Sequence, residues 1–367
     1  MIALGRLRRS RHRRAPCARA GVAGWLAVRA AALQLAAVLL AAGLAAWQPV
    51  QAAPDAPQRA GQGGRPLGDA EVRRWFARIH VAAQQLNYQG TLVFSADGVL
   101  SSAQVAHFHT AAGSFERLEV LDGRMQRIYR HNDQVATLWP ARRVALIEQR
   151  DSRLASLRQV LDPRAREFYR VYDQGGALVA GREATVLRLD PADALRFARR
   201  LWVDARTALV LRTDVLDAAD RVLESSAFSQ VEIGVKPRPQ SVLQPMRQLD
   251  GWRRVRPRQT AAHLAQEGWT LAPLAAGFEL TGCARRSLDP AGADAAVLQL
   301  AFSDGITHVS LFIEPASGQR TRQPMQGHSG ATHTLMQPHG ADWWITAVGD
   351  VPAATLRQFV QALQRRD

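Results

Sequence analysis

The chain has 367 residues, with 47 lysines and arginines against 32 acidic residues, a formal net charge of +15 and two cysteines. Cys17 falls in an N-terminal segment with the marks of an export signal and Cys283 stands alone beyond it, which excludes a disulfide scaffold and leaves burial to stabilise the fold. Nearly all the cation is arginine, Lys236 being the sole lysine, and the part after the signal has no basic run, which excludes nucleic acid as a partner.

Residues 1–29 hold eight arginines and no acid, and residues 30–47 are almost all apolar before Val50-Gln51-Ala52 supplies a small-residue cleavage pattern. This order predicts a signal over 1–52. A permanent anchor competes, because the apolar run approaches the length of a short spanning helix. Its alanine-rich composition and the adjoining VQA-A site favour cleavage. Neither a lipobox cysteine nor the flanks of a twin-arginine signal are present. Without the signal the chain keeps 39 basic residues against 32 acidic ones, a net +7. Arginine's planar fork suits carboxylate and phosphate partners, although codon bias in a GC-rich genome would give the same usage. The remaining length of about 315 residues points to two domains.

Residues 53–68, rich in Pro, Gly, Gln and Ala, read as a flexible leader. From Asp69, a plausible cap, Val72, Phe76, Ile79, Ala83 and Leu86 recur at helical spacing. Strands follow over Tyr88–Ser95, Val99–Thr110, Phe115–Leu121, Met125–Arg130, Val135–Trp139 and Val144–Glu148, with hairpin signals at Asp97-Gly98 and Asp122-Gly123. Such a meander is long enough to curl. Leu154–Val160 has helical spacing, and Phe168–Tyr172 reads as a short helix or a strand.

Gly181–Asp214 is the organising stretch, with strands over Thr185–Leu189, Phe197–Val203 and Ala208–Thr213. Asp190 caps one expected helical turn through Ala194, with Pro191 at its first position. Val222–Ile233 closes a first domain of residues 69–235. Residues 236–260, punctured by prolines, read as a linker. A second domain, residues 261–367, has extended Trp269–Leu280, a hairpin of Val297–Ser303 and Ile306–Ile313 about Asp304-Gly305, a mobile loop Glu314–Ser329, strands Ala331–Met336 and Trp343–Gly349, and a helix opened by Pro352.

The search for chemistry is mostly negative. His107 and His109 share one strand face but lack a third ligand, and His328, His333 and His339 accompany a glycine-rich loop. Cys283 beside Arg285 and Arg286 would have a lowered thiol pKa if reactive, but no signature surrounds it and a structural role is favoured. No nucleophile elbow, metalloprotease motif, phosphate loop or dinucleotide fingerprint is present, so the chain reads as a non-enzyme without cofactor or metal. Binding surface is what remains. Tyr88, Leu92 and Phe94 share a strand face, and Phe108, Leu118, Ile128 and Trp139 reach the same concave side if the sheet curls. This is either ordinary core beneath the Asp69 helix or an incompletely filled apolar cavity for a lipid tail or hydrophobic peptide. Arg196, Arg199, Arg200 and Arg206 beside Trp202 form a cationic sheet edge suited to an acidic partner segment, or simply one solvated sheet face.

Several blocks resemble the MucB/RseB family of periplasmic regulators of the envelope-stress sigma factor. They include Asn87-Tyr88-Gln89-Gly90-Thr91, Glu116-Arg117-Leu118 with Leu121-Asp122-Gly123, Ala180-Gly181-Arg182-Glu183-Ala184, and Arg196 with Leu201-Trp202-Val203-Asp204. In the second domain they include Phe302-Ser303-Asp304-Gly305, Val309-Ser310-Leu311-Phe312-Ile313-Glu314 and Val348-Gly349-Asp350-Val351-Pro352. The family tends to carry tyrosine and glycine where Phe197-Ala198 stands here. The resemblance implies an α+β protein: a lipoprotein-carrier-like half-open antiparallel barrel plugged by helices, then a smaller sheet-plus-helix domain. It also implies binding to the periplasmic region of a membrane anti-sigma factor (RseA/MucA-like), shielding it from regulated proteolysis, and release by lipopolysaccharide or a related amphiphile. The alternative is a periplasmic lipid or lipoprotein carrier without a regulatory partner, and a homo-oligomer is left open.

Overall fold

The computed structural model describes residues 63–149, 163–257, 259–286, 296–316 and 323–366. The expected signal, most of the leader and the helical spacing at 154–160 lie outside the described residues. Helix α1, Asp69–Gln85, buries Val72, Phe76, Ile79, Ala82 and Ala83 along one face. Its cap is Gly68 rather than Asp69: the Gly68 N–H donates to Glu71 Oε2 at 3.2 Å, and Arg65 grips the same carboxylate.

The first sheet contains β1 (Arg65–Pro66), β2 (Tyr88–Ala96), β3 (Val99–Thr110), β4 (Gly113–Val120), β5 (Arg127–His131), β6 (Gln134–Trp139), β7 (Val144–Gln149), β8 (Tyr169–Val179), β9 (Arg182–Pro191), β10 (Ala198–Asp204), β11 (Val210–Leu216), β12 (Val222–Ile233) and β13 (Arg253–Val255). Their order is β1-β8-β9-β10-β11-β12-β2-β3-β4-β5-β6-β7-β13. Neighbours are antiparallel apart from β13 on β7, and β1 and β13 remain as free edges, so the barrel is half open. The two meanders join where β12 pairs with β2. At that joint a β-bulge between Phe228 and Gln230 pushes the Gln230 carbonyl against Gly90, where any Cβ would overlap it.

Phe76 and Ile79 of α1 pack on Tyr169, Val171, Leu187, Leu189, Leu201 and Val203 of the inner face. Helix α2, Gln240–Arg247, covers part of the outer face, where Val242 and Leu249 pack with Ala106, Phe108, Phe115, Tyr129 and Leu138. The segment 236–260, read from sequence as a linker, thus carries α2, β13 and the start of the second sheet. No helical turn forms at Asp190–Ala194. Instead β9 runs through Pro191, and Asp193 Oδ1 accepts the Leu195 N–H at 3.0 Å. Tyr169 opens a strand after a 3₁₀ turn at Pro163–Glu167.

The second domain has β14 (Gln259–Ala261), β15 (Trp269–Leu271), β16 (Glu279–Arg286), β17 (Val297–Ser303), β18 (His308–Pro315), β19 (Met325–Ser329), β20 (Thr332–His339), β21 (Trp343–Gly349), helix α3 (Ala353–Ala362) and β22 (Leu363–Arg365). Seven strands form one sheet in the order β14-β16-β17-β18-β21-β20-β19, and β15 pairs with β22. The expected hairpin forms, and Leu300, Phe302, Val309, Leu311 and Ile313 meet Leu356, Phe359 and Val360 of α3 in one core.

The two sheets meet through buried charge. Arg196 has no exposed side-chain surface: its Nε donates to Asp304 Oδ2 at 2.5 Å, its other nitrogens engage Asp193 and the Ala276 carbonyl, and Phe278 lies 4.6 Å from its Cζ. Tyr169 Oη donates to the same Asp304 oxygen at 3.1 Å, and the other Asp304 oxygen caps the hairpin turn through the N–H groups of Ile306 and Thr307. Arg199, also buried, pairs with Asp350, and Arg286 meets Glu148 at 2.5 Å. Gly277, at φ +87°, lets the chain pass so close to the Phe168 ring that a Cβ would enter it. Arg196 and Arg199 are therefore not part of a cationic sheet edge. Their carboxylates come from the second domain, 108 and 151 residues away, and attraction in a water-poor seam offsets the cost of burying them.

Two outcomes follow from this seam. Arg196→Ala leaves Asp304 buried without its cation and should cost about 3–5 kcal/mol, read as a lowered thermal midpoint, whereas Arg206→Ala in the exposed β10–β11 turn leaves it within error. The Glu224 carboxyl is pushed above its ordinary range by burial, with Asp350 and Asp97 adding to the shift against the pull of Arg199 and the Ala331 N–H. Its stabilising contribution is present below pH 4.5 and lost as pH rises through the raised value. Glu224→Gln should therefore raise the thermal midpoint at pH 7.5, and the gain should shrink towards pH 4.5.

Candidate ligand and partner site

Alternation along β2, β3 and β12 brings apolar side chains beneath the C-terminal half of α1. There a recess of about 70 Å³ is walled by Ile79 and Ala83 of α1 and by Tyr88, Leu92, Val105, Leu211 and Phe228 of the sheet. Tyr88 sits edge-on to Phe228 at 6.0 Å and 5.5 Å from the His107 ring. The His107 Nδ1 lies 2.7 Å from the Leu86 carbonyl just beyond α1, a polar tie between the helix end and the sheet. The volume is far below the roughly 300–1,000 Å³ of ordinary ligand pockets.

Tyr88 and Leu92 line the recess, and Phe94, Leu118 and Ile128 continue the same apolar cluster. Trp139 shares their face by register but stands half-buried at the end of β6, outside the cluster. Phe108 is a correction. It pairs with Phe115 on the opposite face and is buried beneath α2, because its neighbour His107 is the residue that pairs inward with Tyr88. Sequence reading missed Val105, Leu211 and Phe228. Their alternation was visible, but the β12–β2 pairing that brings them together was not.

The remaining cationic candidates lie on the outer face of β9–β11. Arg212 stacks over Trp202 with its Cζ 4.3 Å from the ring and bonds Asp214, while Arg200 stands 5.9 Å from the same ring and donates to Gln174 at 3.0 Å. Arg206 is exposed in the β10–β11 turn.

The other reactive candidates are occupied structurally. Among the described residues no three His, Cys, Asp or Glu side chains are grouped for a metal. His333 and His339 are held below the ordinary histidine range by burial. The Cys283 thiol is pushed up by burial and by Glu267, the reverse of an activated thiol, and the neighbouring Arg285 and Arg286 are paired with Glu267 and Glu148.

Among the described residues no helix is long and apolar enough to cross a membrane. Residues 71–246 match the MucB/RseB N-terminal domain, and residues 263–364 match the MucB/RseB C-terminal domain. The sigma factor AlgU regulatory protein MucB of Pseudomonas aeruginosa is 28% identical over 313 residues, covering 80% of this chain and 91% of that protein. The sigma-E factor regulatory protein RseB of Escherichia coli K12 is 22% identical over 292 residues, covering 78% and 88%. The solved complex of Pseudomonas aeruginosa MucA/MucB superposes with a TM-score of 0.62 at 24% identity, covering 81% of this chain and 99% of that one. A crystal structure of MucB in complex with MucA(peri) gives 0.60 at 25% identity, with the same coverage. Both domain models match in order across most of the chain, and the chain belongs to the MucB/RseB family of sigma-factor regulatory proteins.

Proposed function

We propose that this protein works in the periplasm as a non-catalytic regulator. It binds the periplasmic region of a membrane anti-sigma factor, shields that region from regulated proteolysis, and lets it go when lipopolysaccharide or a related amphiphile occupies the first domain. The observation that carries this reading is that α1 and the second domain share one apolar core. Phe76 and Ile79 of α1, Tyr169 of β8 and Ile306 of the second-domain hairpin belong to the same buried cluster. Tyr169 also bonds Asp304 across the seam. Lifting α1 to admit an acyl chain removes packing from the residues that seat the second domain, so the ligand discriminates between two domain arrangements, as release by an amphiphile requires. The Trp202 surface with Arg200, Arg206 and Arg212 is the face offered to acidic residues of the partner.

A carrier of lipid or lipoprotein is favoured only by the apolar recess. It gives no role to the buried ion pairs that hold a second domain in place.

The test is capture of the cognate anti-sigma factor's periplasmic segment by the purified protein under a lipopolysaccharide titration. The parent should release the segment as lipid is added. Leu92→Trp, which fills the recess, should raise the half-release concentration by about tenfold, since overlap of an indole with an acyl chain costs on the order of 1–3 kcal/mol. A parent that holds its partner at every lipid concentration would remove the sensor role, and equal release from both proteins would move the lipid site elsewhere.

A further inference from the structure

A second, larger cavity of about 310 Å³ lies on the outer face of the first sheet, away from the recess under α1. It forms where the C-terminal end of α2 and the edge strand β13 flank the ends of β5–β7. Its lining is largely polar, with Arg247, Arg254, Arg256, His131 and Gln134, and Ile147, Leu243, Met246 and Leu249 supply its apolar part. The polar lining is built by the fold. β13 runs parallel to β7 with Arg254 opposite Ala145, which places Arg254 and Arg256 on the face that α2 covers. The Arg254 guanidinium is held by the Leu249 carbonyl at 3.2 Å, and the His131 ring stacks on Phe115 at 4.5 Å with 9° between planes.

Among the described residues no carboxylate lines this cavity. Asp250 stands 3.8 Å from Arg254 in open solvent, and among the described residues Arg247 and Arg256 have no ion-pair partner. By contrast, Arg196 and Arg199 in the seam and Arg188 and Arg212 on the outer β9–β11 face are matched to acids at close range. Three guanidinium forks around one hollow, with an imidazole beside them, favour a compact dianion over a single carboxylate. The Leu243, Met246 and Leu249 side chains can receive a small apolar group attached to it.

We propose that this cavity is a binding site for a phosphomonoester carrying a short apolar group, from either a soluble metabolite or a lipid headgroup. It is separate from the recess assigned above and stands whether or not that assignment does.

The experiment measures binding of phenyl phosphate, inorganic phosphate, and phosphatidylcholine vesicles with or without phosphatidic acid to the purified full-length protein without its signal. The variants are Arg254→Ala/Arg256→Ala and the charge-preserving Arg254→Lys/Arg256→Lys. Saturable phenyl phosphate binding tighter than inorganic phosphate, weakened at least tenfold in the alanine variant and several-fold in the lysine variant, establishes the site with a soluble source. Binding only to vesicles with phosphatidic acid, with the same losses, establishes a lipid source. The lysine variant keeps the charge and so reports on fork geometry even if the alanine variant unfolds. Absence of binding by every probe, or binding untouched by both variants, overturns the proposal.

Discussion

The two-domain arrangement depends on Asp304. One of its oxygens caps the hairpin turn of the second sheet, and the other receives Arg196 and Tyr169 from the first. A carboxylate with no exposed side-chain surface has to be compensated in full, because an unpaired buried charge costs several kcal/mol. The second domain is seated where the guanidinium meets that carboxylate. Arg199 with Asp350 and Arg286 with Glu148 add further points of registration, so the seam is specified by charge as well as by apolar area.

This registration ties the inner face to the second domain. The helix over the half-open barrel touches the same side chains that seat the second domain, and the recess beneath it is small as long as both stay put. On the function proposed above, filling the barrel and holding the neighbour are competing demands, because the helix shares its core with the second domain.

Much of the fold was legible in the residues. Helical spacing gave α1, alternation with Asp-Gly turns gave β2–β7, and the Asp304-Gly305 hairpin formed where expected, because each signal is local. The site was legible in part. Tyr88 and Leu92 line the recess, but Phe108 points the other way, because one residue of register decides the face. Arg196 and Arg199 misled for a different reason. Arginines flanking a turn ordinarily stay in water, and nothing nearby in the chain announces that their carboxylates lie more than a hundred residues on. The strands and helix in 236–260 were hidden in the same way: three-residue strands have no period to read, and they exist only because a finished sheet edge receives them.

The joint between β12 and β2 has a bearing on how the molecule is made. Tyr88 finds its ladder partner in Ile233, so the first meander emerges in synthesis with one edge bare until the last strand of the domain arrives. Over that interval a run of unpaired amide and carbonyl groups, unguarded at Gly90 by any side chain, is open to strands of other chains. Shortening the polypeptide ahead of Val222 would make that interval permanent and leave the bare edge as a seed for aggregation.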